Sequence, residues 1–210
     1  MTDMAERKKR IGIYGGTFSP PHIGHVAAAK AFLEALSLDS LLIIPTLIPP
    51  HKKVAYRDDP QARLEMCRLA FGDLTNTEVS ELEILRGGKS YTSDTLRVLS
   101  GDDRELFLLC GTDMILTLDE WHEPKTIFSL STPVCIRREN DKVTGKDLSE
   151  AIERYKNEYG VTVPMIDAPA IEVSSSEIRE RISTGLTTDG LVPEKVGNYI
   201  KEHRLYHDIQ

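Results

Sequence analysis

The stretch Ile11-Gly12-Ile13-Tyr14-Gly15-Gly16-Thr17-Phe18-Ser19-Pro20-Pro21-His22-Ile23-Gly24-His25 decides how the rest of the chain is read. Ile11–Tyr14 is a short apolar strand, and Gly15-Gly16 turns it. Glycine there permits positive φ and lets a ligand approach the backbone closely, which a Cβ would obstruct. Pro20 and Pro21 stiffen the approach to a helix and disfavour helix before them. His22 and His25 are spaced to share one face of a helical turn, with Gly24 leaving the space between them clear. The first amides of a helix have no intrahelical partner and sit at the positive end of its dipole, so this is also an anion site. Strand, glycine turn, imidazole pair and helix start together read as a site that handles phosphate.

Outward from this stretch, apolar runs alternate with helical patterns. Ser40–Pro45 and Leu106–Cys110 are near-continuous apolar strands, the pattern of parallel strands covered on both faces. Pro133–Arg137 and Val161–Ile166 read as further strands, and the alternation over Glu78–Leu85 reads as another, broken by Gly87-Gly88. Helices are expected over Ile23–Leu36, Gln61–Phe71, Asp147–Tyr159 and Ser174–Ser183, from about Ser90–Thr92 to about Leu99 and from about Pro193 to about Glu202, with shorter helical pieces before Asp119 and over Glu123–Leu130. Such alternation implies a doubly wound, mostly parallel sheet in a three-layer α/β/α architecture with a small helical part at the C-terminal end. Ligands of these sheets lie beyond the carboxyl ends of the strands. The glycine turn, the Pro49-Pro50-His51-Lys52 loop, Gly111-Thr112-Asp113 and Ser174–Arg179 all follow strands and are expected to converge there.

Composition narrows the classes. With 210 residues the chain reads as a single domain, residues 1–9 forming a flexible lead-in. A net charge of −7 opposes a broad nucleic-acid surface but not a local basic pocket. Cys67, Cys110 and Cys135 are far apart and sit among apolar neighbours, which suits reduced buried thiols and a cytoplasmic setting. No apolar run approaches the length of a membrane span, and Met1–Arg10 has no apolar signal core. His22 and His25 have no nearby Glu or Cys to complete a zinc set, so metal ligation is the weaker reading of that pair. The composition leaves the oligomeric state open.

Gly15–His25 resembles the signature of the nucleotidylyltransferases that carry two histidines around Ile-Gly, and most closely the bacterial nicotinate-nucleotide adenylyltransferases, whose pattern is Gly-Gly-Thr-Phe-Asp-Pro-x-His-x-Gly-His. The resemblance continues in order through Pro49–Lys52, Ser90-Tyr91-Thr92-Ser93-Asp94-Thr95-Leu96, Gly111–Asp113 with Trp121, and Val173–Arg179. It implies a Rossmann-like fold and transfer of AMP from ATP to nicotinate mononucleotide. On the matching positions it implies ATP contacts from Gly15, Gly16, Thr17, Phe18, His22, His25, Gly111, Asp113, Ser174, Ser175, Ser176, Ile178 and Arg179. His22, His25 and Arg179 carry the catalysis, and Thr17, Lys52, Tyr91, Thr92 and Trp121 hold the mononucleotide. Mg²⁺ is implied as riding mainly on the ATP phosphates, with no ligand from protein side chains. Acceptors in competition are nicotinamide mononucleotide and phosphopantetheine; a regulator that binds nucleotide without turnover is the reading from another class. Ser19 departs from the pattern by standing where Asp is usual: it can cap a turn but cannot carry charge.

Overall fold

The computed structural model describes residues 7–50, 59–138, 145–169 and 171–207. Its centre is a six-stranded sheet of order β3-β2-β1-β4-β5-β6. The strands are β1 (Lys9–Gly16), β2 (Ser40–Pro45), β3 (Thr77–Val79), β4 (Arg104–Gly111), β5 (Thr132–Arg138) and β6 (Met165–Ala168). Every neighbouring pair is parallel. The strand order reverses between β1 and β4, the place beyond whose carboxyl ends such sheets bind ligands. The sheet and its covering helices form the three-layer Rossmann-like α/β fold expected from the alternation.

Both faces of the sheet are apolar because each strand alternates between two cores. Leu41, Ile43, Phe107, Leu109, Val134 and Ile136 face one, where α1 (Ile23–Ala35), α2 (Pro60–Phe71), α8 (Ser175–Ser183) and α9 (Glu194–Glu202) pack. Ile13, Ile44, Leu106, Leu108, Cys110 and Cys135 face the other, covered by α4 (Thr92–Leu99), α5 (Thr112–Leu116), α6 (Pro124–Leu130) and α7 (Gly145–Tyr159). All three cysteines are buried. Burial raises the Cys67 and Cys110 thiols well above their ordinary range, so both are held as inert neutral groups. Among the described residues no helix is long and apolar enough to cross a membrane.

Three local expectations are corrected. Glu78–Leu85 is not one strand: β3 stops at Val79, and Leu82–Arg86 forms a short helix, α3. The β2–β3 ladder ends at Ile43 and Val79, and the Ser80 hydroxyl then accepts the Leu82 N–H and starts a turn. The strand expected over Val161–Ile166 begins only at Met165, after Pro164, which has no N–H to give a ladder. The lead-in ends before Lys9, which already belongs to β1, and Arg7 is paired with Asp39 at 2.6 Å.

Candidate functional site

The turn that leaves β1 is held from three sides. Gly15 and Gly16 lie within the strand and neither has positive φ, contrary to the expectation from sequence; the left-handed residue is Phe18, at φ 49°. Glycine serves here through space. A Cβ at Gly15 would meet no atom within 4 Å, so its surface stays open to a ligand, whereas one at Gly16 would strike the Phe18 ring at 2.9 Å. Phe18 is buried and packs edge-on to Tyr14, His25 and Phe71, pinning the turn to the first core.

His22 is the N-cap of α1 and has extended backbone, so the two histidines meet across the cap and not along a helix face. Their rings stack at 3.6 Å, and His25 Nδ1 accepts the His22 N–H at 3.1 Å. His22 is 3% exposed; His25 is half-buried and is the more accessible of the two. Gly24 does clear space, but for the His22 ring itself: a Cβ there would lie 3.1 Å from His22 Nδ1 and 3.3 Å from Val173.

The start of α8 docks onto this turn. Ser174 caps the helix by accepting the Glu177 N–H, and Ser175 Oγ donates to the Pro20 carbonyl at 2.9 Å. Arg179 Nη1 donates to the Ser19 carbonyl at 2.7 Å, and Nη2 to Ser176 Oγ at 3.2 Å. Segments about 160 positions apart therefore share one site. Ile178 is fully buried in the first core, which leaves only its backbone for a ligand. Gly111 ends β4 beside β1, with Asp113 exposed in the first turn of α5.

A second group forms where α4 begins. Tyr91 is the N-cap of α4 and Thr92 its first residue. Tyr91 stacks on His122 at 4.1 Å, and Arg97 in the last turn of α4 pairs with Glu123, so the segment carrying Trp121 is tied to both ends of this helix. Trp121 is half-buried against the second core. Lys52 lies outside the described residues.

Sequence reasoning missed the buried polar residues around these groups. Glu83 on α3 is 5% exposed and accepts the Thr95 hydroxyl at 2.6 Å, while Arg86 Nη1 donates to that same hydroxyl at 3.0 Å. Burial pushes the Glu83 carboxyl above the usual carboxylate range, and the Thr95 and Ser90 hydroxyls and then Arg86 oppose that shift. Arg63 is a buried cation, and its signal was present: an arginine in register with Cys67 and Ala70 on the buried stripe of α2.

Residues 13–181 match the cytidylyltransferase-like family model. A relative from Geobacter sp. (strain M21), carrying the name "Probable nicotinate-nucleotide adenylyltransferase", is 36% identical over 96% of this chain and 100% of its own length. Another of that name, from Desulfitobacterium hafniense (strain Y51), is 38% identical over 94% of this chain and 96% of its own. The chain belongs to the nicotinate-nucleotide adenylyltransferase family. The nicotinic acid mononucleotide adenylyltransferase of Plasmodium falciparum, solved as a complex with NaAD, shares the fold at TM-score 0.76 and 17% identity, over 94% of this chain and 97% of that one. The same parasite enzyme complexed with APC gives TM-score 0.73. The adenylyltransferase fold thus persists where little sequence identity remains.

Proposed function

We propose that the protein transfers the adenylyl group of ATP to nicotinate mononucleotide, giving nicotinate adenine dinucleotide and pyrophosphate in NAD biosynthesis. A phosphate oxygen of the mononucleotide attacks the α-phosphorus of ATP. The new P–O bond forms as the bond to the β-phosphate oxygen breaks, and pyrophosphate leaves with that electron pair. No side-chain nucleophile is needed, so catalysis consists of alignment and neutralisation of charge.

The observation that carries this reading is the docking of the α8 start on the β1 turn. It sets Arg179 and the capped serines beside the stacked His22–His25 pair, at the crevice between β1 and β4. Imidazole N–H groups, serine hydroxyls, helix-start amides and a guanidinium are all donors suited to a triphosphate. His25, more accessible than His22, is assigned to the charge that develops on the transferring phosphate, and Arg179 to the leaving pyrophosphate. Gly15, Gly16, Thr17 and Phe18 line the phosphate side in this reading, with Gly111 and Asp113 toward the nucleoside.

Tyr91, Thr92 and Trp121 are assigned to the pyridine, with the amides that open α4 facing its carboxylate; Thr17 and Lys52 are assigned to the mononucleotide phosphate. A carboxylate suits amide donors at a helix start, whereas a carboxamide also needs an acceptor, which favours nicotinate. Members of the family use a divalent metal with ATP, and Mg²⁺ is the ion proposed here. Among the described residues no three His, Cys, Asp or Glu side chains gather into a metal cluster. The turn offers nitrogen and hydroxyl groups, so the ion would be held mainly by the phosphate oxygens, where it would supply neutralisation of charge. Buried thiols support work in the cytoplasm.

Ser19 meets Arg179 through its backbone carbonyl, a contact that any residue at this position supplies. Pyrophosphate release from ATP with Mg²⁺, measured separately with nicotinate and nicotinamide mononucleotide, tests the proposal. Release with neither acceptor would reject it, and a preference for the amide would reject the choice of acceptor.

A further inference from the structure

Arg63 is 2% exposed on α2, and its guanidinium spans two loops. Nη1 donates to the Thr17 carbonyl at 2.9 Å, and Nη2 to the Leu47 carbonyl at 3.5 Å. Desolvating a guanidinium is expensive unless its donors are satisfied, and these carbonyls satisfy two of the Arg63 donors. The peptide groups flanking Leu47 are engaged in both directions. The Leu47 N–H donates to Ser90 Oγ at 2.9 Å, and Ser90 is itself 4% exposed.

Backbone bonds fasten the same segment on either side. The Thr46 N–H donates to the Gly16 carbonyl at 2.9 Å, and the Ser90 N–H to the Ile48 carbonyl at 2.9 Å. Residues 46–48 therefore form a strut. One end is fixed to the β1 turn by Gly16 and by Arg63 on Thr17; the other is fixed to Ser90, two residues before α4 begins.

We propose that Arg63 and Ser90 are positioning residues which, through the backbone of Leu47, set the separation between the phosphate turn and the start of α4. They would thereby align the acceptor's phosphate with the α-phosphate of ATP. The inference rests on the reading that the α4 start holds the acceptor. Neither residue touches the reacting atoms. The two differ in what they govern: Ser90 secures only the α4 end of the strut, while Arg63 secures the turn and the strut together. Lysine cannot replace Arg63 fully, because one ammonium reaches a single carbonyl well and the planar fork reaches two.

The test uses full-length Ser90→Ala and Arg63→Lys, with KM for each substrate, kcat, thermal melting and hydrogen exchange at the amides of residues 46–48 and 91–95. Ser90→Ala is expected to raise the KM for nicotinate mononucleotide about 5- to 20-fold and leave that for ATP within about twofold. Arg63→Lys is expected to raise both and lower kcat about 10-fold, since a small misalignment is costly in an in-line displacement. Exchange at Leu47 and in the first turn of α4 rises in both variants. Unchanged exchange overturns the strut. Lowered melting temperature with both KM values unchanged makes the residues merely structural and overturns the proposal. Faster exchange in Ser90→Ala with an unchanged acceptor KM overturns it differently, by removing the α4 start from the acceptor site. Should Arg63→Lys fail to fold, Ser90→Ala alone decides each of these outcomes.

Discussion

Gly24→Ala is the sharpest available perturbation of the histidine pair, because it adds one methyl group and removes no functional atom. The new Cβ would sit 3.1 Å from His22 Nδ1, 3.2 Å from His22 Cε1 and 3.3 Å from Val173 Cγ1. Comfortable heavy-atom contacts begin at about 3.5 Å, so the ring must retreat by about 0.4 Å. It has little room: His22 is 3% exposed and already stacked on His25 at 3.6 Å. Misplacement by about 1 Å costs about 100-fold in an aligned reaction, so about 0.4 Å scales to about 5- to 10-fold in kcat. On stability, alanine gains about 0.5–1 kcal/mol over glycine in a helix, against about 1–3 kcal/mol for overpacking. A net loss of about 1 kcal/mol follows, lowering the melting temperature by about 2–4 °C in a chain of this size. Pyrophosphate release and thermal melting measure the two effects, and imidazole resonances report where His22 goes. Wild-type kcat together with unmoved His22 resonances would refute the reasoning, since the space beside Gly24 would then not be needed by that ring.

His25→Ala is expected to lower kcat by about 10²–10³ through loss of one preorganised donor, while the variant still melts cooperatively. It also removes the acceptor of the His22 N–H, worth about 1 kcal/mol of stability; near-normal turnover would reject the transition-state role. Ser19→Asp is expected to change kcat by less than about threefold, because the Arg179 contact is to the backbone carbonyl and survives the substitution. A large gain in steady-state rate would show that the side chain matters. Glu83 makes a pH prediction with a definite sign. Its carboxyl is raised in the folded protein, chiefly by burial, so the folded state holds this proton more tightly than the unfolded state. Its contribution to stability is greatest below the ordinary carboxylate value, falls as pH rises through the raised folded value, and stays lower above it. Urea melts of wild type and Glu83→Gln from about pH 4 to pH 7.5 should show the wild type losing stability relative to the variant as pH rises, and a flat difference would refute the assignment.

Much of this protein is legible in one dimension because the signals are local. Ser40–Pro45 forms a strand with the bounds read from its apolar run, since burial on both faces leaves no other pattern. Pro60 opens α2, Ser174 caps α8, and Gly185 at φ 73° follows the end of that helix, each through chemistry confined to a few neighbouring residues. The motifs at Gly15–His25, Ser90–Leu96, Gly111–Asp113 and Val173–Arg179 were likewise visible as text, and with them the family.

Tertiary structure decided what depended on partners distant in the chain. Whether residues 82–86 continue a strand turns on where β2 stops pairing, which no window around Leu82 contains. The positive φ of the β1 turn falls on Phe18 and not on the glycines because the Phe18 ring must reach Phe71 and the first core. That His22 stacks on His25 from a cap position, that Arg179 grips the Ser19 carbonyl, and that Arg63 joins Thr17 to Leu47 all require contacts closed only when the sheet assembles. A buried cation is tolerated only where acceptors wait to receive it, and the sequence alone does not reveal which acceptors those are.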